Sequence, residues 1–300
     1  MASQRILYLS LFVATFAVSW AAILVKLSGA GPLPTAFYRV AIASAILAIP
    51  AIPRLKKAFH KLSNSDRLIM LLSGVALGLH FAVWITSLYY TTVSNSTILV
   101  ATQPVFILAM ESLSGQEKIE VRSIVGILLS LAGMAVISSG DFNLGREYII
   151  GDLLALAGAF LAGLYLFIGR RIRAKIDNFS YIFPVYSISA VTLFVICMIS
   201  GENMTDYPAR TWIFFLLLAL VPTVVGHSLY NWLLEYVPAH KVATTILGEP
   251  IGATILAIFF LSQIPGWWTL FGGILILFGI YIVLRKQRPK KLQTGAPELP

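Results

Sequence analysis

The stretch TILGEPIG, Thr245 to Gly252, decides the fold, because it interrupts an apolar segment running from residue 241 to 261. A membrane-length helix here carries a carboxylate, Glu249, and then a proline, Pro250, at its centre. Proline removes a backbone hydrogen bond and clashes with the preceding turn. A charge in mid-bilayer costs about 3 kcal/mol or more. A sequence keeps both only where the surrounding fold compensates them.

The rest of the chain has the same apolar character. Of its 300 residues, 58% are hydrophobic and 12% charged, with a mean hydropathy of +0.85. Soluble domains are roughly 45–50% apolar and about 25% charged. The composition therefore predicts an all-α polytopic membrane protein. Segments of about 17–25 apolar residues can cross a bilayer. Ten qualify: 6–28, 33–52, 68–88, 95–114, 123–139, 148–169, 179–200, 211–233, 241–261 and 266–284. The connections between them are too short for a soluble domain.

The net charge of +9 does not mark a nucleic-acid partner. Basic residues are confined to RLKKAFHKLSNSDR (54–67), RRIRAK (170–175), RKQRPKK (285–291) and a few single positions. Such clusters between apolar runs orient helices. With the N-terminus inside, the cytoplasmic segments hold 18 of the 22 Lys and Arg, leaving only Lys26, Arg39, Arg146 and Arg210 elsewhere. Both termini are thus expected in the cytoplasm, with the chain multi-pass in the cell membrane. Residues 1–22, ending in AVSWAA, imitate a cleavable signal peptide. Cleavage would leave nine spans and orphan half of the repeat described next, so the segment is read as a span. Cys197 is the sole cysteine, which excludes disulfides and cysteine metal sites.

Sliding the sequence by 146 residues places Tyr90 on Tyr236, Pro104 on Pro250, Gly126 on Gly272 and Gly133 on Gly279. His80 falls on His227 after a one-residue gap. The reading is two five-helix repeats, 1–140 and 148–285, followed by a basic tail at 286–300. Five spans is an odd number, so the second repeat is expected to be inverted, the architecture of many secondary transporters. Each proline lies about 13 Å into its span at 1.5 Å per residue. Broken backbone at that depth is tolerated only inside protein or beside a polar cavity. The QP of Gln103–Pro104 and the EP of Glu249–Pro250 therefore read as two walls of a central site.

These residues also carry a family resemblance. GDLLALAGAFLAGLYLFIGRRIR (151–173) and GHSLYNWLLEYVPAHKVATTILGEPIGATILAIFFL (226–261) resemble the second half of EamA-type members of the drug/metabolite transporter superfamily. HFAVWITSLYYTTVSNSTILVATQPVF (80–106) and FYRV (37–40) resemble the first half. The resemblance spans about residues 5 to 285. It implies ten helices forming a basket, a cavity lined mainly by helices one, three, four, six, eight and nine, and export of amino acids, other metabolites or toxic compounds. One departure stands out. Family members usually place a Gly-Glu pair where helices four and nine end, whereas this chain reads SGQEK and then SQIPG, with Gln263 in place of the acid.

Glu249 is the leading candidate for chemistry. Low-dielectric surroundings disfavour the charged form of a carboxylate, so it could exchange a proton for a substrate ammonium, or merely satisfy its own broken helix. Gln103 is its neutral counterpart, offering donors and acceptors. His80 with Trp84, and His227 with Asn231, share helix faces at i,i+4 spacing. With Tyr230 they offer an aromatic, hydrogen-bonding surface suited to a small molecule, or else simple interhelical contacts worth about 0.6 kcal/mol each. Arg39 could hold a carboxylate bidentately or snorkel to headgroups; its resemblance to the family's arginine across unlike substrates favours a structural task. Trp20 and Tyr165, in the paired first helices, are expected to complete the cavity.

Other features read as structural. Trp267 and Trp268 suit an interface belt, and the glycines at 126, 133, 272, 273 and 279 suit close helix packing. Lys26 and Asp152 read as outer-rim residues.

The function expected is a secondary transporter of small polar metabolites such as amino acids or related amines, working by alternating access and coupled to protons through Glu249. An importer or a multidrug carrier of the same fold is the alternative. An intramembrane enzyme is disfavoured, because the chain lacks HExxH, GxSxG and clustered carboxylates. No cofactor or metal is implied, the partners are a small solute and the lipid bilayer, and the oligomeric state is read as a monomer or weak dimer.

Overall fold

The structure is a computed structural model describing residues 4–115, 121–142, 145–236, 239–246 and 248–284. Among these residues all regular structure is helical. Seven helical stretches are long and apolar enough to cross a membrane, the longest being Pro32–His60 and Arg146–Arg173. Three shorter apolar helices accompany them: Ile124–Ile137, Gly248–Leu261 and Trp267–Gly279.

Local chemistry sets the helix ends. Gly29 adopts φ 69° beyond the stretch Ala21–Ser28, and Pro32 then opens α3 (Pro32–His60) from its first turn. Ser63 caps α4 (Asn64–Tyr90) in a reciprocal box with Asp66, their contacts both 3.1 Å. Thr92 caps α5 (Val93–Val100), and Asp177 caps α9 (Asn178–Ile199).

Several spans are divided, the fourth and ninth at the prolines that the sequence marks and the first without such a mark. The first divides at Trp20 into α1 (Gln4–Ser19) and α2 (Ala21–Ser28). The fourth divides into α5 and α6 (Gln103–Leu113), with Pro104 in the first turn of α6, where its missing N–H costs nothing. The ninth divides into α12 (Ala239–Ile246) and α13 (Gly248–Leu261), with Pro250 again in the first turn. α5 ends at Val100 and α12 at Ile246, a separation of 146 residues, the offset seen in the sequence. Between α10 (Ala209–Leu218) and α11 (Ser228–Leu233), the stretch Ala219–His227 is π-helical around Pro222. Thr223 Oγ1 donates to Leu218 O at 2.8 Å, five residues back, occupying a carbonyl inside this wider turn.

α4 packs between α8 (Arg146–Arg173) and α9, while α3 runs along α9. α7 (Val121–Phe142) lies along α14 (Trp267–Leu284), where Gly133 and Gly272 meet backbone to backbone. A Cβ added to Gly133 would sit 2.6 Å from Gly272 O, and one added to Gly272 would sit 2.6 Å from Gly133 O. Small residues permit this approach, and dispersion then supplies the association that lipid does not.

Charge gathers at the two ends of the bundle. At one end Asp66 holds Lys175 at 2.7 Å, Glu111 meets Arg170 at 3.8 Å, and Arg173 pairs with Glu235 at 2.5 Å. Arg173 is fully buried and also donates to Asn231 O at 3.0 Å and to Ile176 O. At the other end Lys26 lies 5.2 Å over the Tyr89 ring, and Tyr38 OH donates to Met204 O. Trp267 and Trp268 are exposed, at 86% and 57%. Asp152, read as a rim residue, is instead 1% exposed, because α8 packs closely on α4 and Gly151 abuts Thr91.

Candidate functional site

The helix breaks surround one central cavity of about 40 Å³, room for about three waters. Its polar lining comes from α3 (Arg39), α4 (His80, Trp84), α6 (Gln103), α8 (Tyr165), the π-helical stretch and α11 (His227, Tyr230), and α13 (Glu249). Eight of the ten residues singled out from sequence therefore converge on it. Its apolar wall includes Val18, Val100, Leu166 and Ile246. The resemblance implied lining mainly by other spans, and Arg39 brings the second span into the site as well.

Arg39 does not snorkel. It is 0% exposed, and its Nε donates to Thr223 Oγ1 at 2.7 Å. The guanidinium lies 4.2 Å from the Phe81 ring centroid and 5.8 Å from that of Trp84. Both Nη atoms are buried without a hydrogen-bond partner, as is Trp84 Nε1. Unsatisfied buried donors are costly, and three of them stand beside this one cavity.

His80 Nδ1 lies 2.9 Å from Gly158 O. A carbonyl can only accept, so Nδ1 carries the hydrogen and Nε2 is the ring's other face to the site. The ring stacks on Trp84 with centroids 5.9 Å apart and planes 3° from parallel. Gly158 makes this possible, since a Cβ there would meet Trp84 Cβ at 3.2 Å. His227 meets Phe81 edge-on at 5.3 Å. Tyr230 OH is 2.9 Å from Thr15 Oγ1, tying α11 to α1.

Glu249 is the second residue of α13, beside the unpaired N–H groups of its first turn, where a carboxylate is electrostatically favoured. Gln103 opens α6 in the corresponding place and is 5% exposed. The acid and the amide thus face one cavity from the two broken helices.

Two expected residues stand elsewhere. Asn231 is fully buried behind the wall, where Nδ2 donates to Tyr165 OH and to His227 O at 2.7 Å. It holds Tyr165 rather than lining the cavity, although its helix neighbours His227 and Tyr230 do line it. Trp20 packs edge-on against Phe260 at 5.3 Å and is not among the residues lining the cavity. Gln263, at the position where the resemblance leads one to expect an acid, accepts from Val93 N at 3.1 Å. An amide oxygen there serves the start of α5. Its counterpart Glu117 lies outside the described residues.

Three contributors were missed from sequence. Phe81 covers Arg39, Thr223 holds its Nε, and Thr15 meets Tyr230. Only Thr223 carried a signal, as a hydroxyl beside a mid-span proline.

A cavity of this kind does not by itself name an activity, but comparison with known proteins does. An uncharacterized transporter of Archaeoglobus fulgidus is 28% identical over 293 residues, covering 96% of this chain and 99% of the relative. The uncharacterized transporter YvbV of Bacillus subtilis is 26% identical, covering 96% and 94%. A protein of Streptantibioticus cattleyicolor named a probable terminal-alkyne amino-acid exporter is 22% identical and covers 98% of each chain. A solved crystal structure shares the fold with a TM-score of 0.66 at 19% identity, covering 94% of this chain and 98% of the other. The EamA-like transporter family model matches twice, at residues 4–139 and 149–285. The multi-pass helical bundle with its buried polar cavity thus belongs to a transporter, not an enzyme, and the chain is a member of the EamA-like transporter family.

Proposed function

We propose that the chain is a secondary transporter that exports small polar metabolites, amino acids or related amines, across the cytoplasmic membrane by alternating access. One observation carries this reading. Two helices broken 146 residues apart present Gln103 and Glu249 to the same buried cavity. Half-helices that meet at a central site are the recurring binding device of inverted-repeat carriers. The relative named an amino-acid exporter supports the solute class.

The architecture proposed is ten helices in two inverted halves, 1–140 and 148–285, with a basic tail at 286–300 and both termini in the cytoplasm. Seven long spans and three shorter apolar helices fit that number. The contacts between α7 and α14 support a two-fold relation. Gly133 meets Gly272 and a Cβ on Gly279 would lie 2.5 Å from Gly126 O, while Gly126 and Gly272, like Gly133 and Gly279, are equivalent under the offset. Reciprocal pairing of this kind is what a two-fold produces. Ser130 Oγ approaches the carbonyl of Ile276, its own equivalent, as expected near the axis.

The cavity of about 40 Å³ is too small for a metabolite, so this is a contracted state of the site. Glu249 is the proposed coupling group, alternating between a proton and a cationic partner as the halves rock. No oligomer is needed, since one chain supplies every wall of the cavity.

The test is an untargeted mass-spectrometric comparison of medium and cell contents from bacteria expressing the chain or an empty vector. A class of small metabolite accumulating outside only with the chain supports export. Depletion of that class from the medium would instead make it an importer.

A further inference from the structure

Three buried donors at the cavity are left without partners: Arg39 Nη1, Arg39 Nη2 and Trp84 Nε1. We infer that Arg39 and Trp84 form a carboxylate subsite, and that with Glu249 of α13 in the same cavity they select solutes carrying both a carboxylate and an ammonium. This rests on the transporter reading above and specifies its substrate.

The geometry around Arg39 is that of a prepared fork. Its Nε is occupied by Thr223 Oγ1 at 2.7 Å, and that hydroxyl donates in turn to Leu218 O at 2.8 Å. The π turn is what places Thr223 over that carbonyl, so the wider helix fixes the arginine. Phe81 covers one face of the guanidinium at 4.2 Å. The planar group therefore has only its two Nη atoms to offer, side by side, which is the arrangement that receives both oxygens of a carboxylate. Trp84 Nε1 adds a third donor, and its ring is locked by stacking on His80, which Gly158 O holds in place.

Charge balance selects the remainder of the solute. With Glu249 ionised, its charge and that of Arg39 cancel, so the empty cavity is neutral. A zwitterion leaves it neutral, with carboxylate on Arg39 and ammonium on Glu249. An amine without a carboxylate leaves the Arg39 fork buried and unpaired, and a carboxylate without an amine leaves a surplus negative charge. Either imbalance is costly in a low dielectric. The apolar residues on the remaining wall, Val18, Val100, Leu166 and Ile246, suit an uncharged side chain.

The experiment uses the purified full chain in proteoliposomes, with uptake of labelled leucine, valine and phenylalanine by exchange against the same unlabelled amino acid. Each is competed by its amide, which lacks the carboxylate, and by its deaminated acid, which lacks the ammonium. The free amino acid should compete at least about tenfold better than either analogue, the scale of one hydrogen bond to a charged group. Arg39→Lys keeps the charge but loses the fork and should weaken the amino acid by about 10- to 100-fold while leaving the amide unchanged. Trp84→Phe keeps the stack on His80 and should narrow the gap between acid and amide by a few-fold, so a poorly folded arginine variant does not decide the matter. Equal competition by amide and amino acid, or an unchanged ratio in both variants, overturns the subsite while leaving transport intact. Exchange of none of these solutes by a chain that still exports another metabolite class overturns it as well.

Discussion

Alanine at Gly133 measures how far the α7–α14 contact is already at its limit. The new methyl would lie 2.6 Å from Gly272 O, 2.8 Å from Ile276 Cγ1 and 2.9 Å from Ile276 N. Two of these are backbone atoms and cannot rotate away. Restoring an ordinary separation of about 3.4 Å requires the helices to part by about 0.8 Å. A gap of 0.5–1 Å forfeits roughly a quarter to a half of each dispersion well along the seam. With no hydrophobic force between helices in lipid, overpacking here should cost about 1–3 kcal/mol. Gly272→Ala should cost a similar amount, because its methyl would meet Gly133 O at 2.6 Å. The double variant is the sharper test. Once the helices have parted for one methyl, the second finds room, so the double cost should fall short of the sum. Gly266→Ala is the control, having nothing within 4 Å. Thermal unfolding of the purified chain, followed by size-exclusion chromatography, reads all four. Unaltered stability at Gly133, or full additivity in the double variant, would refute the close crossing.

Further outcomes follow from other contacts. Pro250→Ala should lower turnover more than Pro104→Ala, by at least about tenfold, because it adjoins Glu249 and small misplacements at a site are costly; equal losses in an exchange assay would assign both prolines to a shared structural role. Arg173→Ala should destabilise the fold by about 3 kcal/mol, since it strips the fully buried partner from Asn231 O, Ile176 O and Glu235. The Glu235 side chain is 42% exposed, so the ion pair itself supplies the smaller part; a stability change under about 1 kcal/mol in thermal unfolding would contradict this. In a Cys197→Ser background, Lys61→Cys should resist a membrane-impermeant maleimide in intact cells and Gly201→Cys should react. The reverse pattern would invert the proposed orientation.

Much of this organisation is legible in the sequence because backbone chemistry is local. Apolar length announces helices, and Pro104 and Pro250 mark breaks that appear where their spacing placed them. Gly126, Gly133, Gly272 and Gly279 announce a close crossing for the same reason. Which side chains face inward is less legible, because rotation about a helix axis depends on tertiary packing. Trp20 shows this, since its ring packs on Phe260 and not in the cavity. Asn231 shows it too, since it turns to Tyr165 while its helix neighbour Tyr230 faces the cavity. A one-residue gap between His80 and His227 is visible in the sequence, but the π turn that ends at His227 is not. Arg39 was ambiguous for a different reason. Its position near a span end allowed snorkelling, and only the cover of Phe81 and the hydroxyl of Thr223 hold it at the cavity.

On the proposed mechanism Glu249, presented by the broken helix at the shared cavity, couples solute movement to protons. It is tested most directly by amino-acid flux in proteoliposomes under an imposed pH gradient, comparing the intact chain with Glu249→Gln. The gradient should drive accumulation through the intact chain, and the glutamine variant should retain its fold and gradient-independent exchange but lose that response. Accumulation driven equally well through the variant would contradict it.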